Sequence, residues 1–224
     1  MRANAGSYVV RRGDTLYGIA RSHGVSIAAL AERNGLSHSY HVYVGQRLDV
    51  PSRRTRRVPI PASVQRAIDR AHVRQGRWKY IVIHHSGVDE GTVAGMDRYH
   101  REVRHMENGI AYHFVIGDGH GMKDGEIAVC PRWTKQIDGG HLASEAQDHI
   151  ALGICLVGNF DKHRPTHRQM RSLRGLVEAL MARCHLTAAA IKTHKQINVI
   201  PTRCPGKYFP FKAFMKDLKA DGER

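Results

Sequence analysis

Two patterns of apolar positions follow one another along the chain, separated by a stretch rich in proline and arginine. In the first, Ser7-Tyr8-Val9-Val10-Arg11 alternates in the manner of a short strand. Gly13-Asp14-Thr15 supplies a turn and a helix cap ahead of Leu16, Ile19 and Ala20, which recur at helical spacing. A second helix is expected from Ser26, through Ile27, Leu30 and Ala31, to about Asn34-Gly35. Val44 to Pro51 reads as a returning strand closed by proline. The predicted order over residues 7–51 is βααβ, in a unit close to the lower size limit for folding alone.

Residues 52–62 read as a linker, with Pro59, Pro61 and the arginines 53, 54, 56 and 57. Beyond it the pattern changes. Ser63 is placed to cap a helix running to about Gln75. An apolar, β-branched run at 78–84 predicts a buried strand, and a helix is expected from about Thr92 to Met106. Strands follow near 111–116, 126–129 and 150–157. Thr166 and Gln169 have the spacing of a capping box. The helix they open puts Met170, Leu173, Leu176, Val177, Leu180, Met181 and Cys184 on one face. A last helix, about 210–219, places Phe211, Phe214, Met215 and Leu218 toward a core. Alternating strands and helices of this kind predict an α/β domain over 63–220, with a central mixed sheet flanked by helices.

Composition narrows the function classes. Hydrophobic and charged fractions of 42% and 25% are those of an ordinary globular chain. No run approaches the roughly 18 apolar residues of a membrane span. Met1 to Ser7 lacks the apolar segment of a secretory signal, so the chain is expected to stay inside until lysis, to have lost its signal, or to be exported by another route. The net charge of +15 implies anionic partners. Nothing else that marks a nucleic-acid reader accompanies it, and no specific nucleic-acid partner is expected. The arginine linker reads equally well as a self-repelling, extended spacer. The four cysteines, Cys130, Cys155, Cys184 and Cys204, form no Cys-x-x-Cys pair. Cys155 and Cys184 fall at apolar positions and read as small buried hydrophobes. A Cys130–Cys184 pair is left open.

Candidate chemistry lies in three residues. His84 ends the strand run Tyr80-Ile81-Val82-Ile83-His84, His194 follows Ile191-Lys192-Thr193, and Cys204 comes ten positions after His194. Two imidazoles and a thiolate make three protein ligands, and a fourth tetrahedral position left open to water marks a catalytic zinc site. The spacing matches no compact zinc signature, so the ligands must converge from distant parts of the chain. Most of the 16 histidines are expected at the surface.

Five segments occur in order: Tyr80 to Ser86, Ala111-Tyr112-His113-Phe114-Val115-Ile116, Gly140-His141, Ile154 to Phe160, and Thr193-His194 through Pro201-Thr202-Arg203-Cys204-Pro205-Gly206. Over roughly residues 78–215 the chain resembles the N-acetylmuramoyl-L-alanine amidase family, which includes phage amidase lysozymes and animal peptidoglycan-recognition proteins. The resemblance implies Zn2+ on His84, His194 and Cys204, with catalysis assisted by Tyr112. It implies a second catalytic position at Thr202, where phage members often carry Lys. Strand alternation would put Tyr112 on one face with Phe114 and Ile116 and turn His113 to the other. His85 and His141 are further candidates for contact with substrate. His141 would sit on a flexible turn after Gly139-Gly140, and His85 behind the site or on the opposite strand face. Residues 7–51 resemble a LysM module, in Tyr8-Val9-Val10, Gly13-Asp14-Thr15-Leu16, Ile19-Ala20, Asn34-Gly35-Leu36 and Gly45-Gln46-Arg47-Leu48. That resemblance implies a shallow glycan groove near Gly13, Asp14, Thr15 and Leu16, and from Gly35 and Leu36 to Ser39.

The expectation is therefore a monomeric peptidoglycan hydrolase that cuts between N-acetylmuramic acid and the L-alanine of the stem peptide. It would act at the cell wall, in the periplasm or outside the cell, or be held in the cytoplasm until lysis. The alternatives are a non-catalytic peptidoglycan receptor of the same fold and a zinc peptidase acting within the stem peptide.

Overall fold

The computed structural model describes residues 6–23, 25, 27–36, 40–50 and 58–222. The arginine run 53–57 and the loop positions Ser37 to Ser39 lie outside them. The chain divides into two compact units, one N-terminal and one spanning Val58–Lys219.

In the N-terminal unit, strand β1 (Gly6–Val9) is followed by helices α1 (Leu16–Ser22) and α2 (Ile27–Arg33) and by strand β2 (Arg47–Val50). The strands pair antiparallel with Tyr8 opposite Leu48. Thr15 caps α1, its hydroxyl accepting the Gly18 N–H at 3.0 Å. Val10, Leu16, Ile19, Leu30, Leu48 and Val50 are buried together. Asn34 clamps the end of α2 to β2. Its amide donates to the carbonyls of Leu30 and Asp49 at 2.8 and 2.9 Å, and its oxygen accepts the Asp49 N–H at 2.8 Å.

The larger unit contains α3 (Ala62–Arg70), β3 (Tyr80–His85), α4 (Val93–Glu102), β4 (Phe114–Ile116), β5 (Ile127–Val129), α5 (Pro131–Thr134), α6 (Glu145–Asp148), β6 (Ala151–Leu156), α7 (His167–Cys184), β7 (Ile191–Thr193), α8 (His194–Ile197) and α9 (Phe211–Gly222). Its five strands lie in the order β5-β4-β6-β3-β7. The β4–β6, β6–β3 and β3–β7 pairs are parallel and β4–β5 is antiparallel, so the sheet is mixed, as predicted. Alternation sorts its two faces. Ile81, Ile83, Phe114, Ile116, Leu152, Ile154 and Leu156 enter the main core with Leu173, Leu176, Val177 and Leu180 of α7 and Phe214 and Leu218 of α9. On the other face a smaller cluster forms from Ile110, Val115, Met122, Cys130, Cys155 and Val157, with Met96 and Tyr112 against it.

The capping box of α7 is present in both directions: Thr166 accepts the Gln169 N–H at 2.9 Å, and Gln169 accepts the Thr166 N–H at 3.1 Å. The Gln169 amide also donates to the Val157 carbonyl at 2.7 Å, which ties the helix start to the end of the sheet. Several expected boundaries move. Pro61, not Ser63, precedes α3, which ends at Arg70. Residues 58–61, placed in the linker by their composition, lie against α7, where the Val58 N–H donates to Glu178 at 3.0 Å. A Cβ at Gly175 would meet the Val58 carbonyl oxygen at 2.6 Å, so the absent side chain admits this segment. Among the described residues no helix is long and apolar enough to cross a membrane. All four cysteines are free and buried.

Candidate active site

The site is built on the sheet face opposite the main core. Because Ile81 and Ile83 point into that core, alternation turns His84 the other way. Parallel pairing of β3 with β7 sets Ile83 beside Thr193. Thr193 ends β7 and opens α8 with a second capping box through Gln196, so His194 is the first helical residue and lies next to His84. Their ring centroids are 4.3 Å apart.

Cys204 arrives on the loop after α8. Its carbonyl accepts the Lys195 N–H at 3.0 Å, and its own N–H donates to the Thr202 hydroxyl at 3.2 Å. The thiol lies 3.7 Å from His84 Nδ1, and the His85 N–H points at it from 3.4 Å. Ligand atoms of His84, His194 and Cys204 all fall within 4.8 Å of one another, so these residues could hold a metal ion. The expected convergence is present in the structure.

Burial decides the protonation states. His84 is 1% exposed and is held well below the ordinary 6.5, first by burial and then by His141 and His194 nearby. Burial also lowers His194. Both imidazoles are therefore neutral near pH 7 and keep a lone pair to offer. Burial pushes the Cys204 thiol up to about 12, against the opposing pull of the His85 N–H. A thiolate at this position needs a cation beside it.

Tyr112 stands 5.3 Å from His84, centroid to centroid. It does not share a face with Phe114 and Ile116. The chain bends at Ala111 and His113 and β4 begins only at Phe114, so alternation does not extend back to Tyr112, which packs in the Val115–Cys155 cluster. Burial raises its phenol well above 10, and the nearby Cys155 and Cys204 thiols push it the same way. It stays a proton donor at neutral pH. Tyr112 also lines a cleft of about 640 Å³ together with Ser86, Val88, Thr92, Met96, Tyr99 and His100. The cluster of candidate metal donors and this cleft thus meet at one side chain.

The other candidates are distributed differently. Thr202 is half-buried and braces the Cys204 loop. The His85 side chain turns toward Phe160, whose N–H donates to its Nδ1 at 3.1 Å; only the His85 backbone faces the site. His141 is not on a flexible turn. Its side chain is fully buried, because its N–H is held by Asp148 at 3.1 Å and its Nδ1 lies 3.1 Å from His84 Nε2. It cannot reach a substrate.

In the N-terminal unit Leu16 is a core residue at 2% exposure, which corrects its placement in a glycan groove. The Asp14 carboxylate is spent closing the first turn: it accepts the Tyr8 hydroxyl and the Arg11 N–H, each at 2.8 Å. Those two bonds hold its pKa below the usual carboxylate value. Gly13 and Gly35 adopt positive φ, and Leu36 packs half-buried against the core.

Two participants were missed in the sequence. Asp148 accepts the N–H groups of His141 and Leu142, and burial raises its carboxyl to about 6. Gly153 stands in the middle of β6, and a glycine interrupting Ala151-Leu152-Gly153-Ile154 was the available signal that something approaches the backbone closely there.

Residues 74–207 match the N-acetylmuramoyl-L-alanine amidase family. That is more than half of the chain. The chain belongs to this amidase family. Residues 8–51 match the LysM domain, so the amidase domain follows a LysM module. The chain is similar to the N-acetylmuramoyl-L-alanine amidase LysC from Clostridium intestinale URNW, with 32% identity and a TM-score of 0.54 over 64% of this chain and 86% of that one. It is also similar to peptidoglycan recognition protein-LE in complex with tracheal cytotoxin, at 25% identity and a TM-score of 0.51 over 70% and 92%. Peptidoglycan recognition protein 3 of Mus musculus is 33% identical over 79 residues, 35% of this chain and 20% of that protein. The chain spans a fifth or less of the length of the curated relatives it matches.

Proposed function

We propose that this chain is a zinc-dependent N-acetylmuramoyl-L-alanine amidase. It hydrolyses the amide between the lactyl group of N-acetylmuramic acid and the L-alanine of the stem peptide. The observation that carries this reading is the meeting of three candidate metal donors with Tyr112, which lines a cleft of about 640 Å³. Two imidazoles and one thiolate are a donor set that suits zinc, which His84, His194 and Cys204 would hold. Zinc at such a site supplies Lewis acidity, which acidifies water and polarises a carbonyl at neutral pH.

The chain's own residues do the rest. His84 and His194 are neutral and present lone pairs, and the His85 N–H helps to hold Cys204 as a thiolate once a cation is beside it. Tyr112 keeps its proton and donates it toward the oxygen that gains charge as the amide is attacked. Thr202 accepts a backbone N–H and so keeps its own hydroxyl proton to offer, without the fixed charge that Lys would bring. The apolar wall of the cleft, with Val88 and Met96, receives the stem peptide. The LysM module would bind the glycan strand through the turns at Gly13 to Thr15 and at Gly35 and Leu36, raising the local concentration of enzyme on an insoluble polymer. The place of action is the cell wall, whose acidic polymers suit a net charge of +15.

Digestion of purified peptidoglycan followed by mass spectrometry tests the reaction. Free stem peptides that begin with L-alanine are expected. Cleavage within the stem would instead identify a peptidase, and binding without cleavage by zinc-loaded protein would identify a receptor.

A further inference from the structure

The imidazole of His141 is closely enclosed by two glycines and by Asp148. A Cβ on Gly153 would fall inside the ring's van der Waals envelope, and one on Gly139 would come 2.6 Å from Cδ2. Gly139 does not have the positive φ that would demand glycine, and its Cβ would meet the Asp148 carboxylate at 2.6 Å as well as the ring, so the glycine leaves room for both. Asp148 grips the backbone of residues 141 and 142 from the other side.

The partners of the two ring nitrogens fix where its proton sits. Nε2 lies 3.3 Å from the Ala151 carbonyl oxygen and 3.6 Å from an Asp148 carboxylate oxygen. A carbonyl can only accept, so Nε2 carries the hydrogen. A neutral imidazole has one N–H, and Nδ1 is left as an acceptor. Its partner among the described residues is His84 Nε2 at 3.1 Å, which must then be the donor. With its hydrogen on Nε2, His84 has its lone pair on Nδ1, the atom 3.7 Å from the Cys204 thiol.

We infer that His141 is a positioning residue that locks the metal ligand His84 in the Nε2–H tautomer and aims its Nδ1 at the metal position, through the relay Ala151 C=O, His141, His84. This rests on the reading of His84 as a ligand. It makes a buried histidine, and two glycines far apart in sequence, part of the metal site without any contact with substrate. Partners behind a ligating histidine typically matter by about 10–100-fold in metal affinity.

The test uses the full chain and three variants. His141→Phe fills the same space without an acceptor. His141→Asn puts its side-chain oxygen near the place of Nδ1. Gly153→Ala displaces the ring while leaving His141 in the sequence. Zinc affinity is read by competition with a chromophoric chelator, and the His84 tautomer by nitrogen NMR of the metal-stripped protein. His84 is expected as Nε2–H in the wild type, with zinc binding weakened about 10–100-fold in His141→Phe and in Gly153→Ala, and substantially restored in His141→Asn. A mixed tautomer should accompany each loss. An Nδ1–H form of His84 in the wild type would overturn the inference. So would full zinc affinity with an unchanged tautomer in His141→Phe, or, should that variant fail to fold, in Gly153→Ala. A wild type that shows the relay by NMR but binds no zinc would instead sink the assignment of His84 as a ligand.

Discussion

Acid should destabilise the metal-free protein, and its buried imidazoles are the cause. His84, His113 and His141 are 1%, 0% and 7% exposed. Burial lowers all three from the ordinary 6.5, His141 to about 3. When the native value is depressed in a histidine, the unfolded chain takes up protons first. The stability these groups allow is present above about 6.5 and is lost as pH falls below it. At about 1.4 kcal/mol per pH unit and group, His141 alone costs about 5 kcal/mol between pH 6.5 and 3. Asp148 acts in the opposite sense. Its carboxyl is raised to about 6, so the folded protein takes a proton before the unfolded chain does near 3.8, and stability rises by about 3 kcal/mol as pH falls through that window. Three imidazoles outweigh one carboxyl. Set against a typical stability of about 5–15 kcal/mol, His141 and Asp148 together leave a net loss of about 2 kcal/mol, and His84 and His113 add to it in the same direction. The assay is urea denaturation of chelator-treated protein at a series of pH values. Asp148→Asn should steepen the loss between pH 6 and 4, because the opposing contribution is gone. A stability that stays level from pH 7 down to 4 would refute the reasoning.

Three further outcomes are expected. Tyr112→Phe should keep zinc and the fold, since its ring still packs with Val115 and Cys155, but lower kcat about a hundredfold, the usual scale for one oxyanion donor; unchanged turnover would make Tyr112 a packing residue. His194→Ala or Cys204→Ala should abolish zinc retention and hydrolysis while glycan pull-down by the LysM module persists, read by metal analysis and by binding to insoluble walls. Removal of residues 1–51 should leave turnover of soluble muropeptides nearly unchanged and depress lysis of insoluble walls, because every proposed ligand lies in the Val58–Lys219 unit; equal loss on both substrates would show that the module completes the catalytic groove.

Local periodicity carried the elements whose signals are local. The apolar run ending at His84, the stripe of α7 and the Thr166–Gln169 box depend on neighbours within a few residues, and each is present in the structure. The mixed sheet followed from alternation of such elements, and the three candidate metal donors, which the structure brings together, from residue type together with family resemblance. Other features depended on partners far along the chain. β7 is three residues long and exists because β3 offers it a parallel edge, so nothing within it announced a strand. The face taken by Tyr112 was misread because a bend, not the side-chain pattern, sets its direction. His141 looked mobile after two glycines. One of them, with Gly153 of β6, instead leaves the space that buries its ring behind His84. The sequence by itself thus determined which elements form and which residue types can bind metal, since these follow from backbone periodicity and ligand chemistry. Tertiary structure alone decided which nitrogen of His84 faces Cys204, because a tautomer is set by acceptors that only packing brings within hydrogen-bond distance.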